Sequence, residues 1–219
     1  MGADSTSSLL GVLGAGTSSA AYASCLALLQ QAPASLERSD YLRPAPATSY
    51  RNARAAGVSF QFQADGTAPT DEAWRCTVID VYNAEAQQAA DKRKRAPQWG
   101  VCPLLPLRLE LRDIKRPSGA ETSATAGSLD VTATSTGGDF VAALGEPSRK
   151  GGGEALAAGG ASGLGPGAWL EWEGEAEGRR VTLMVELVGE GAKGAGRWEK
   201  DKAGKAMWGV LTIALVGQP

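Results

Sequence analysis

In "LPLRLELRDI" (105–114), Leu105, Leu107, Leu109 and Leu111 alternate with Pro106, Arg108, Glu110 and Arg112. "VSFQFQ" (58–63) does the same, with Val58, Phe60 and Phe62 set against Ser59, Gln61 and Gln63. Successive side chains of a strand point to opposite faces, so each segment has one dry and one wet side. A helix cannot use a two-residue period, and the pattern commits the chain to sheet.

Other segments extend the series. "WRCTVIDVY" (74–82), "AWLEWEG" (168–174), "RRVTLMVELV" (179–188) and "MWGVLTIALV" (207–216) are strong strand candidates, rich in β-branched and aromatic residues. "LDVTATS" (129–135) and "DFVAAL" (139–144) read as weaker strands. "EGRR" predicts a hairpin between the 168–174 and 179–188 segments, and "DKAG" a tight turn joining "RWEK" to the last strand. "AEAQQAADKRKR" (84–95) reads as a short polar helix, and the Gly-rich stretch 150–167 as a long surface loop. A parallel sheet needs repeated strand–helix–strand units, and these are missing. The expected fold is mainly β: an antiparallel β-sandwich or jelly-roll-like domain with an N-terminal helical arm.

That arm comes from a change of pattern. Between Ser5 and Leu36 there is no charged residue. Thr17 or Ser18 can cap a helix running to about Gln31, and Pro33 stops it. "SLERSDYL" then reads as a polar turn and "RPAPATS" as a Pro-rich linker. The expected division is an arm and linker over 1–47 and a β domain over 48–219. Removing the arm should then leave a folded domain. Leu26 and Leu29 would give the arm an apolar face for a partner chain. Trp169 and Trp172 have opposite strand parity, so one of them cannot face the core; Trp169 is the further candidate contact.

The glycine turn before this helix invites sharper readings. Gly14 and Gly16 match the start of a dinucleotide-binding G-x-G-x-x-[GA] turn, but Ser19 stands third and the following segment lacks a buried strand. The apolar run and Ala21-Tyr22-Ala23 resemble an export signal over residues 1–23, but the segment before them has Asp4 and no cation. Gly2 fits a myristoylation pattern, with no polybasic run behind it. A capped helix reached by a glycine turn is the plainer reading.

Composition decides which chemistry is open. The chain has no histidine, which removes Ser-His-Asp triads, imidazole bases and His metal ligands. Three cysteines, Cys25, Cys76 and Cys102, form no regular framework; at most Cys76 and Cys102 could pair. A net charge of -2 provides no strong field for nucleic acid. Lys92-Arg93-Lys94-Arg95 is the sharpest cluster, readable as a nuclear-import or phosphate patch or as the basic end of a helix before Pro97. Glu171, Glu173, Glu175 and Glu177 read as a solvated hairpin. No metal, cofactor or catalytic residue is expected. The expected function is a non-catalytic structural or accessory subunit, intracellular, that binds other protein chains or its own copies in an assembly, coat- or capsid-like in one version. A small-ligand-binding β-barrel is the alternative, and a His-independent enzyme a third.

Overall fold

In a computed structural model, residues 2–42, 46–66, 69–91, 98–115, 117, 126–152, 168–193 and 202–217 are described, with backbone only for residues 2–4. The basic run 92–95, most of the Gly-rich stretch, the start of the Pro-rich linker and "RWEK" lie outside the described residues.

The alternating segments form one antiparallel sheet. Its strands are β1 (Glu37–Tyr41), β2 (Ala47–Ala53), β3 (Val58–Ala64), β4 (Arg75–Tyr82), β7 (Arg149–Gly151), β8 (Trp169–Ala176), β9 (Arg179–Val188) and β10 (Met207–Leu215). They lie in the order β1-β2-β3-β4-β10-β9-β8-β7. A two-stranded ribbon, β5 (Leu107–Leu111) with β6 (Gly127–Val131), stands apart from it. Four α-helices, α1 (Gly2–Leu10), α2 (Ala20–Leu28), α3 (Ala84–Ala90) and α4 (Gly137–Leu144), and five single-turn 3-10 helices complete the described elements. Glu177 and Gly178 take positive φ of 49° and 71° in the β8–β9 hairpin, the backbone that a two-residue turn between twisted strands requires.

The sheet has one dry face. Phe60, Phe62, Ile79, Val81, Leu183, Val185, Leu211 and Ile213 are at most 1% exposed. They join a single core with Leu9 and Leu13 from the α1 end, Leu26 from α2, Leu107 and Val131 from the ribbon, and Phe140 and Leu144 from α4. The second layer is therefore helices plus a ribbon. A second sheet of the size a sandwich or jelly roll needs is not among the described residues. Two tryptophans tie the layers together. Trp172 of β8 donates from Nε1 to the Gly145 carbonyl at 2.9 Å, and Trp208 of β10 to the Thr132 carbonyl at 2.7 Å. Each buries a large ring while satisfying its one donor. At the sheet's margin, Arg112 beyond β5 bridges to Glu175 of β8.

Several expectations are corrected. The "DFVAAL" segment is helix α4. Thr136 and Asp139 cap each other's backbone amides at its start, and Phe140 and Leu144, one turn apart, enter the core. "SLERSDYL" and "RPAPATS" contribute β1 and β2, which pair with one another across the expected 47/48 boundary. The N-terminal region is helical, and its apolar residues dock on this chain's own sheet. The Gly14–Gly16 turn follows a helix, not a strand. Gly14, at φ 77°, donates to the Cys76 carbonyl at 2.8 Å, and Cys76 donates to the Ala15 carbonyl at 2.9 Å. Its role is to clamp the start of β4. Ser19, the misfit in the nucleotide pattern, is the N-cap of α2, accepting from the Tyr22 amide at 3.2 Å.

Candidate functional site

The other face of the sheet is half-exposed, and pairing register lays it out. One row crosses all eight strands: Glu37, Asn52, Ser59, Asp80, Thr212, Met184, Glu171 and Arg149. The next row runs Ser39, Tyr50, Gln61, Val78, Ala214, Thr182 and Glu173. Ionic side chains gather at the ends of these rows and are paired there. Glu37 meets Arg54, Arg149 meets Glu171 at 3.2 Å, and Glu173 meets Lys115 at 2.6 Å and also Arg180. Between the ends lie hydroxyl, amide, aliphatic and aromatic groups.

Two carboxylates interrupt that zone: Glu186, between Val210 and Trp169, and Asp80. The Thr212 hydroxyl donates to Asp80 Oδ1 at 2.6 Å, and no cation pairs with it among the described residues. Burial holds its carboxyl above the usual range, and the Thr212 bond only partly offsets this. Beside it, Ser59 donates to Asn52 Oδ1 at 2.7 Å. Tyr82 stacks on Trp99 with ring centroids 3.7 Å apart and planes 5° from parallel, and the Arg54 guanidinium covers Trp99 at 4.8 Å. Burial, first, and the neighbouring Asp80 charge both raise the Tyr82 phenol.

The two expected tryptophan positions separate as parity requires. Trp172 is fully buried. Trp169 lies on the half-exposed face opposite Glu186, with the Arg149 guanidinium 5.8 Å from its ring centroid. A Cβ on Gly151 would come within 2.6 Å of the Trp169 ring, so only glycine lets the indole lie flat there. Leu26 and Leu29 are 2% and 1% exposed in this chain's own core, and cannot meet a partner while the fold is intact. The polar middle zone was legible in one respect: Asp80 interrupts an otherwise apolar strand in "CTVIDVY". Tyr50 and Asn52 give no such signal, because only the first residues of β2 fall in the "RPAPATS" linker and the rest show no strand period.

Other features take simpler roles. All three cysteines are free and buried, so the Cys76–Cys102 pairing is not formed. Burial pushes the thiols up, Cys25 to about 12 and Cys102 to about 11. Among the described residues no three metal-ligating groups converge, and no helix is long and apolar enough to cross a membrane. A cleft of about 520 Å³ beside α4 is lined by Val141, Ala142, Pro147 and Leu170, with Lys150 at its side. The sheet ends at β1 and β7, so the described strands do not close into a barrel. No family model matches the chain, and no curated protein or solved structure is similar to it.

Proposed function

We propose that this protein is a non-catalytic binding subunit that holds another protein chain against the half-exposed face of its sheet. The observation that carries this is the distribution of charge on that face. Stable protein interfaces have a centre poor in charge and enriched in aromatic residues and Met, with a polar rim. Here Tyr50, Tyr82, Trp99, Trp169 and Met184 share the face, the ion pairs stand at the ends of its rows, and Asp80 and Glu186 are the carboxylates between them. Among the described residues Asp80 in the middle has no cation beside it, and a partner's Lys or Arg would supply one; a desolvated pair of that kind fixes register and excludes wrong partners. The free, buried thiols fit a reducing, intracellular setting.

The test is site-specific photo-crosslinking in the cells that make the protein. A photoreactive residue at Gln61, on the face, should give a discrete protein adduct, and one at Arg108, exposed on the ribbon, should not. Asp80→Arg should abolish the Gln61 adduct without unfolding the protein. Equal adducts at both positions, none at Gln61, or an adduct indifferent to Asp80→Arg would overturn the reading.

A further inference from the structure

Beyond that face, the sheet has two edges that stand unpaired among the described residues, and one of them is self-complementary. β1 reads Glu37-Arg38-Ser39-Asp40-Tyr41, flanked by Leu36 and Leu42. Among the described residues it pairs with β2 alone, on one side. Tyr41 and Leu42 are 59% and 45% exposed, among the few large apolar side chains left open on the described surface. Arg38 and Asp40 lie on the same side of the strand, 2.7 Å apart, and remain partly exposed at the edge. The Ser49 hydroxyl donates to Asp40 at 2.6 Å and orients its carboxylate.

We infer that β1 is a homodimer edge: two copies of this chain join antiparallel through it, about a two-fold axis at Ser39. A two-fold interface sets the same patch against itself, so each residue must tolerate its mirror position. Centred on Ser39, the pairing puts Arg38 opposite the copy's Asp40 and Asp40 opposite its Arg38. Glu37 then meets Tyr41, and Leu36 meets Leu42. The four core-side charges become an alternating ladder, and opposite charges directly across a strand pair are favourable. Register is selected as well. A shift by one residue in the pairing sum would turn the two sheets' dry faces to opposite sides. The neighbouring face-preserving registers centre on Arg38 or on Asp40, setting like charges directly against one another. The other free edge offers no such match: pairing β7 with itself about Lys150 opposes two lysines.

Two five-residue edges with Tyr41 and Leu42 bury less than the roughly 1,200–2,000 Å² of stable complexes, so the dimer is weak and concentration-dependent. It leaves the Asp80 zone free and does not depend on the function proposed for that face.

Sedimentation velocity across a concentration series should show the full chain in reversible monomer–dimer exchange. Arg38→Asp and Asp40→Arg should each be monomeric, since each opposes like charges. Their equimolar mixture should recover the dimer. In the mixed pair the two substituted side chains face each other with opposite charge at one end, and the native Asp40 and Arg38 meet at the other. Ser39→Cys, at the axis, should form an interchain disulfide under mild oxidation while the buried native thiols stay silent; it also serves should the charge variants misfold. A chain monomeric at every concentration, single variants that still dimerise, a mixture no more dimeric than its parts, or no cross-link at position 39 would each overturn the inference. Loss of the Gln61 photo-adduct would not bear on it.

Discussion

Asp80 is placed where it weakens the fold. A carboxyl whose proton affinity rises on folding makes the folded state bind more protons than the unfolded chain, so its contribution to stability falls as pH rises from the ordinary carboxylate value, about 4, through the higher folded one. Asp40 and Glu173 behave oppositely. Hydrogen bonds from Arg38 and from Lys115 hold their carboxyls low, and their stabilisation is lost on acidification. Asp80→Asn keeps an acceptor for Thr212 and removes only the first effect. Its Tm at pH 7 should exceed that of the parent, and the gap should close below about pH 4. A lower Tm at pH 7 would mean that the ionised carboxyl has a partner worth more than its desolvation. Groups that cost stability are typical of sites kept for binding, where stability and function trade against each other.

At the scale of elements, the strand pattern of 105–114 gives the cleanest contrast. Leu109 is 2% exposed beneath the ribbon, and Arg108 lies in water beside Glu110. Leu109→Asp should lose about 2 kcal/mol of transfer energy and add several kcal/mol of carboxylate desolvation. Arg108→Ala should leave the urea midpoint unchanged; equal midpoints for the two variants would show that the segment has no dry side. Legibility followed the same physics. The strands whose inward residues are large and apolar, β3, β4, β5, β8, β9 and β10, could be read because one face is dry. β2 could not, since it turns Ala47, Ser49, Arg51 and Ala53 inward. β1 has no fully buried residue to set a period. The α4 segment reads as strand because Phe140 and Val141 favour sheet, while the Thr136–Asp139 box that decides the matter looks like a Gly-rich turn. The candidate site was less legible still. A polar face is defined by which strands are neighbours, and the β4–β10 pairing joins segments far apart in sequence.

For the whole molecule, the N-terminal region carries structural weight. Leu9, Leu10, Val12, Leu13, Tyr22, Leu26 and Leu29 are all at most 4% exposed. At about 1.5–3 kcal/mol for each large side chain, deleting residues 1–36 removes burial energy as large as the whole stability of a domain, roughly 5–15 kcal/mol. The truncated chain should lack a cooperative thermal transition and bind a hydrophobic dye. Native-like β circular dichroism with a sharp melt would show instead that the sheet stands without these helices.

The position of β10 has a consequence for how the chain reaches this state. Of the described strands, the one furthest along the sequence, β10, lies between β4 and β9, in the interior of the sheet. Until residues 207–215 are in place, β4 and β9 each lack the neighbour that β10 supplies. Such edges recruit strands from other chains, and contacts so distant in sequence form slowly. Folding of this protein therefore includes an interval of exposure that ends only when β10 docks between its two neighbours. In that interval a chaperone has two adhesive edges to cover, and stalled or prematurely ended chains keep both.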